Sequence, residues 1–176
     1  MSEEAEVAGV RVTKPAKVLV PGAGEAPEVT KLDLARYHQA VADLVLPHLR
    51  DRPISMQRFP DGLGGASFYE KKVPAHFPDF VRTVEVATGE GPQRQVVVSD
   101  TRTLVLLAQQ ACLTPHAWLS RADRLERPDQ LVFDLDPSVP SLAAVRRATT
   151  LVGELLDDLG LTSVVKTSGS RGYHVV

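Results

Sequence analysis

Apolar and polar positions divide the chain into three stretches. Residues 1 to about 32 are polar and rich in Gly and Pro, with only Val18, Leu19 and Val20 apolar together, which predicts an arm that packs one short strand or turn. From Thr30 the period becomes helical. Thr30 with Asp33 has the form of a capping box, and Leu34, Tyr37, Val41, Leu44 and Val45 share one face until Pro47 disrupts the turn. Residues 53–99 alternate short apolar runs (PISMQRF, ASFYEKK, FVRTVEVA, RQVVVSD) with the turns PDGLGG and GEGPQ, which predicts antiparallel strands, the first pair joined by a Gly-rich connection. Asp100 then caps a second helix whose buried stripe is Leu104, Leu107, Ala108 and Ala111.

In the last third, the apolar run LVFDLD ends in acids and is broken by Pro137 and Pro140. Ser141 caps a helix carrying Leu142, Val145, Leu151, Val152, Leu155 and Leu159, Gly160 stops it, and TSVVK follows as a strand. This β-α-β-like order puts Asp134 and Asp136 at the carboxyl end of a central strand, where open α/β sheets place their ligands.

Composition narrows the class. Of 176 residues 43% are hydrophobic and 24% charged, which is globular and not disordered, fibrous or membrane-spanning. The expectation is one domain with an N-terminal appendage. The single Cys112 allows neither a disulfide nor a Cys-rich zinc site. With no apolar run near 18 residues and an acidic start, MSEEAEVAGV, the expected location is cytoplasmic, without membrane contact. A net charge of −2 excludes a uniformly basic surface. It leaves room for a local patch: Arg11–Lys72 holds ten Lys/Arg against seven Asp/Glu.

Two constellations could carry chemistry. In Phe133-Asp134-Leu135-Asp136-Pro137 the acids are two apart, so on a strand they face one way, roughly 6.5 Å from each other along the chain, and can share one or two hard cations. The alternative is that Asp134 caps a turn and Asp136 sits in solvent. The second is Lys166-Thr167-Ser168-Gly169-Ser170-Arg171-Gly172-Tyr173-His174, whose small residues let backbone N–H groups converge on an anion while Lys166, Arg171 and His174 add charge or donors. A solvated hairpin turn would also read this way.

The order V-F-D-L-D-P, helix, V-K-T-S-G-S-R-G-Y-H resembles the first two motifs of the archaeo-eukaryotic primase superfamily, and most closely the primase-polymerase domain of bacterial DNA ligase D. TKPAKVLVP, YHQAVADLVLPHLRDRPISMQRFPDG, SFYEKKVPAH and LVLLAQQACLTPHAWLSR match further stretches in order, so the resemblance covers about residues 11–176. It implies an α/β (α+β) fold, a mixed sheet with flanking helices. Residues 1–10 would be a disordered tail, 11–128 the N-terminal part and 129–176 the first part of a catalytic sheet whose C-terminal half is incomplete.

Position by position, the resemblance implies that Asp134 and Asp136 hold divalent metals, Mn or Mg, for nucleotidyl transfer. Ser168, Ser170, Arg171 and His174 would lie along the phosphates of an NTP or dNTP, with Arg171 where Lys is common, and His116 near the nucleotide. Lys17 and Lys31 would hold a DNA 5′-phosphate at a gap or break, and Phe68 and Tyr69 would stack on template bases. The implied activity is primase-polymerase addition of nucleotides to a 3′ end in bacterial non-homologous end joining. An ATP-dependent DNA ligase and a Ku-type end-binding protein are the implied partners, with nucleoid association.

The superfamily's third acid lies on a later strand than the match to His174, and this sequence stops at Val176. The expectations are therefore half of a polymerase, a non-catalytic module that binds DNA 5′-phosphate ends, or an interrupted reading frame. An end inside a strand predicts an unpaired sheet edge, open to self-association or completion by another chain. Asp134-Leu135-Asp136-Pro137-Ser138 also resembles the signature of haloacid-dehalogenase-type phosphatases, but that signature ends the first strand of its domain and needs far more chain after it.

Overall fold

The computed structural model describes residues 4–89, 91–138 and 141–176, so Pro140 and its predicted part in ending the acidic strand lie outside the described residues. The chain divides into two compact units, Met1–Arg127 and Pro128–Val176.

The first unit opens with a hairpin of β1 (Glu4–Val7) and β2 (Val10–Thr13). The expectation that residues 1–10 form a disordered tail is thus corrected over 4–10: Val7, Val10 and Val12 are buried, and that apolar area orders the backbone. A second ladder pairs β3 (Val18–Val20) with β4 (Val29–Thr30). The capping box at Thr30 then starts α1 (Lys31–Ala40).

Helix breaks at Val41 and resumes as α2 (Ala42–Leu49) with Pro47 inside it. A proline ring meets the carbonyl four residues back, so the disturbance falls before Pro47 and not at it. This rotates the buried face. Ala35, Ala42 and Leu46 are buried, whereas Tyr37 and Leu44, expected on the apolar stripe, are exposed.

The strands expected between residues 53 and 99 form one antiparallel sheet around β5 (Arg52–Arg58). β5 pairs with β6 (Phe68–Glu70), β8 (Gly91–Val98) and β9 (Cys112–Ala117), and β7 (Thr83–Thr88) pairs with β8. Asp100 caps α3 (Thr101–Gln109), its carboxylate accepting the N–H of Thr103 at 2.8 Å. This helix buries Thr103–Ala108 without interruption, wider than a one-sided stripe, because it forms the centre of the core with Val12, Ala35, Ile54, Met56 and Val96.

The second unit is a small sheet with one helix. Ser141 caps α4 (Leu142–Asp158), and β10 (Phe133–Leu135) and β11 (Val165–Thr167) flank β12 (Tyr173–Val175), both antiparallel to it. Two expectations are corrected here. The acidic strand β10 is an edge strand of the described sheet, and the last strand, expected to leave an unpaired edge, is the central one. The crossover through α4 skips one position, and β12 fills the gap. The α4 stripe is corrected as well: Val145 and Leu156 are buried, while Leu142, Leu151, Leu155 and Leu159 are exposed. Strands of three residues cover about 10 Å, whereas a helix of 17 residues runs about 25 Å, so the sheet conceals only a strip of it.

Candidate functional site

A strand ladder brings together the two lysines singled out in the N-terminal arm. Val18 lies opposite Thr30, which sets Lys17 beside Lys31, and the Lys31 N–H donates to the Lys17 carbonyl at 2.8 Å. Lys31 is buried, 8% exposed. Burial, together with the charges of Lys17, Lys14 and Arg58, holds its ammonium below the ordinary lysine range. Among the described residues no carboxylate pairs with it. A buried cation surrounded by cations calls for an anion from outside.

Lys17 donates to Asp61 at 3.1 Å. The Asp61 loop docks on β3 through the Leu63 N–H to the Leu19 carbonyl at 2.7 Å. Gly62 permits this: its φ is +80°, and a Cβ there would meet the Val18 and Leu19 carbonyl oxygens at 3.0 and 3.1 Å. Lys14 and Arg58, not singled out in the sequence, belong to this cluster by charge; only the folded arm and sheet reveal it.

Phe68 and Tyr69 are neighbours on β6 and so point to opposite faces. Phe68 lies opposite Arg58, whose guanidinium is 5.5 Å from the ring centroid, pairs with Glu70 at 2.6 Å and donates to the Gln110 carbonyl at 2.8 Å. Tyr69 lies opposite Gln57, its ring 5.2 Å from that of His116. Gln57 Oε1 is 3.3 Å from His116 Nε2, and its amide donates to Ser67 Oγ at 3.4 Å. The rings, 46% and 58% exposed, therefore offer two surfaces and not one continuous platform. Gln57, absent from the sequence-based candidates, ties three segments around the Tyr69–His116 pair. Cys112, the first residue of β9, is buried, and burial pushes its thiol up to about 12, so it offers no thiolate at neutral pH.

In the second unit Asp134 sits in β10 and Asp136 one residue past it, both exposed and alternating with Leu135. His174 stands directly opposite Asp134, and Lys166 directly opposite His174, so the three line one face of the sheet in a row. His174 Nε2 is 3.3 Å from Asp134 Oδ1. Asp134 and Asp136 also border a cleft of about 280 Å³ closed by Ala144, Val145 and Ala148 of α4.

The Ser168–Gly172 loop closes on itself. The Ser168 N–H donates to the Gly172 carbonyl at 3.0 Å, and Ser168 Oγ accepts the N–H groups of Gly172 at 3.1 Å and Ser170 at 3.4 Å. A Cβ at Gly172 would collide with the Leu135 carbonyl and come within 2.5 Å of Asp136 Oδ1, so glycine lets the loop lie against the acidic strand end. Ser170 and Arg171 are exposed at its tip.

Two carboxylates are the donor type a hard divalent cation takes, and magnesium in particular binds through one or two carboxylates completed by substrate phosphates. The acids therefore fit such an ion. Among the described residues no group of three or more His, Cys, Asp or Glu comes together to hold a metal.

Residues 30–176 match the family model described as LigD, primase-polymerase domain. The chain is 37% identical to a multifunctional non-homologous end joining protein LigD of Pseudomonas aeruginosa, over 99% of this chain and 20% of the relative. It is 36% identical to a bifunctional non-homologous end joining protein LigD of Bacillus subtilis, over 83% of this chain and 23% of the relative. It thus spans about a fifth of the length of these relatives. Among solved structures, it superposes on the polymerase domain of Mycobacterium tuberculosis ligase D in complex with DNA with a TM-score of 0.81 at 32% identity, covering 94% of this chain and 60% of that one. No helix among the described residues is long and apolar enough to cross a membrane. Motif order, mixed α/β architecture and these matches agree: the chain belongs to the LigD primase-polymerase domain family.

Proposed function

We propose that this chain is a DNA-directed nucleotidyl-transfer module of bacterial non-homologous end joining, adding ribo- or deoxyribonucleotides to a 3′ end at a gap or break that carries a 5′-phosphate. The observation that carries this reading is the approach of the Ser168–Gly172 loop to Asp136, with His174 on Asp134: a turn that exposes Ser170 and Arg171 and a carboxylate pair share one small sheet. Asp134 and Asp136 would hold a divalent cation, Mg or Mn, which when bound neutralises phosphate charge and polarises the phosphoryl group under attack. Arg171 and Lys166 hold the nucleotide's phosphates, and His174 keeps the Asp134 carboxylate in place. In the first unit Lys31, Lys17 and Lys14 take the 5′-phosphate, and Tyr69 with His116 receives a template base, with Phe68 stacking separately. Ligase and Ku-type partners, and action on nucleoid DNA, follow from this reading.

The test is primer extension on a gapped duplex bearing a 5′-phosphate, with Mn or Mg, beside Asp134→Ala and Asp136→Ala. Extension by the parent chain that the two variants lose supports the proposal. The uncompensated Lys31 ammonium favours a second reading, a non-catalytic DNA-end binding module. Phosphate-dependent binding without extension would establish that reading instead.

A further inference from the structure

More than half of the exposed large apolar side chains among the described residues lie in the second unit, although that unit is less than a third of the chain. Those on α4 are ordered. Leu151, Leu155 and Leu159, each more than half exposed, continue a stripe begun by Ala144 and Ala148. Steps of three and four residues keep side chains in line along a helix, as in the seam of a coiled coil. At about 100° per residue the stripe lies about a quarter turn from Val145 and Leu156, the buried residues of α4, so this helix carries two apolar faces and its own fold covers one.

Charge selects the occupant of the second face. Arg147 borders the alanine end of the stripe, and Glu154 and Asp158 border the leucine end; all three are exposed, and among the described residues none forms an ion pair. Alone, the helix is poorly served by this order. Glu154 and Asp158, one turn apart, repel each other, and Asp158 stands at the negative end of the helix dipole. A second copy of α4 laid antiparallel brings Arg147 to those acids and sets leucines over alanines, whereas a parallel copy sets like charge against like. We infer that this chain forms a two-fold symmetric dimer through α4, antiparallel along the stripe from Ala144 to Leu159. The surface is a helix face, distinct from the sheet edge expected from the sequence, and its use needs neither DNA nor nucleotide. Such an interface is satisfied by one partner, so association stops at two copies.

The experiment is sedimentation of the whole chain over a micromolar concentration series without DNA, with circular dichroism to follow the fold. The parent should pass from 19.1 kDa to twice that mass and no further. L151Q/L155Q should keep the parent's spectrum, because these side chains lie outside its own core, and should raise the dissociation constant roughly a hundredfold or more, each change counting twice in a symmetric pair. R147E makes the border of the stripe wholly acidic and E154K/D158K makes it wholly basic. Each alone should stay monomeric at concentrations where the parent is dimeric, and an equimolar mixture of the two should dimerise again, a recovery that a folding defect would not give. The inference is overturned by a parent that stays monomeric or grows past two copies, by L151Q/L155Q that folds and dimerises as the parent does, or by a mixture of the charge variants no more associated than either alone.

Discussion

Lys17 accepts, at its carbonyl, the N–H of the residue whose side chain it repels: Lys31 lies 2.8 Å away through the backbone, and the two ammonium charges oppose each other. The fold thus maintains a like-charge pair in which Lys17 has Asp61 as its partner while Lys31 has no carboxylate among the described residues. Lys31→Met keeps the length of the side chain and removes the charge. It should abolish most of the preference for 5′-phosphate over 5′-hydroxyl DNA ends, by roughly ten- to a hundredfold on the scale of a charge-assisted contact. Because the buried charge is costly without its anion, the same variant should unfold at a higher temperature than the parent in the absence of DNA. Anisotropy on the two kinds of end and thermal melting check both parts.

The pH dependence of this contact has a definite sign. Lys31 is held below its unfolded value, so between the two values the unfolded chain carries more proton than the folded one, and Lys31's contribution to stability rises with pH across that window. Binding runs the other way. The phosphate preference should be full at neutral pH and decline on the alkaline side before an ordinary surface lysine loses its proton, and Lys31→Arg should extend it to higher pH. A pH series of end binding decides it.

Phe68→Ala and Tyr69→Ala should behave as unrelated lesions. Tyr69 removal takes a ring from the His116 pair, and stacking of a base on such a ring is worth about 1–3 kcal/mol, so affinity for single-stranded template should fall roughly five- to a hundredfold. Phe68 removal releases Arg58 from its ring contact, and should alter duplex-end binding more than single-strand binding. Added in one chain, the two effects should sum, because the rings share no face.

Gly172→Ala forces a methyl group into the Leu135 carbonyl and the Asp136 carboxylate. The loop must move away, so nucleotide binding measured by a fluorescent NTP should fall severalfold or more while 5′-phosphate binding by the first unit is unchanged. His174→Ala should leave the loop in place yet weaken metal-dependent nucleotide binding about ten- to a hundredfold, as loss of a group that orients a ligating carboxylate does. His174→Gln, which can still donate to Asp134, should restore part of it.

Much of this was readable from the residues because it is local. The capping box at Thr30, the cap at Asp100 and the strand-forming runs depend on neighbours within a few positions, and they stand where their spacing puts them. What escaped is non-local. Lys14 and Arg58 join Lys31 only because β3, β4 and β5 are folded, and no period in the sequence connects residues 14, 31 and 58. The α4 stripe failed for the same reason: its leucines have helical spacing, but the width of the sheet beneath them decides which are covered. The edge position of β10 was hidden because β-α-β order leaves open whether a later strand enters between its two members.

That inserted strand also fixes an order of assembly. Among the described residues β10 and β11 are not paired with each other; each ladder of the second unit runs through β12, the last of the three to be synthesised. Until Tyr173–Val175 emerge, the acidic strand has no backbone partner in this sheet, so the carboxylates and the Ser168–Gly172 turn gain their geometry in the same late event. A ribosome-bound chain stopped short of Tyr173 would therefore protect the backbone of the first unit from hydrogen exchange and leave that of Phe133–Leu135 fully exchanging.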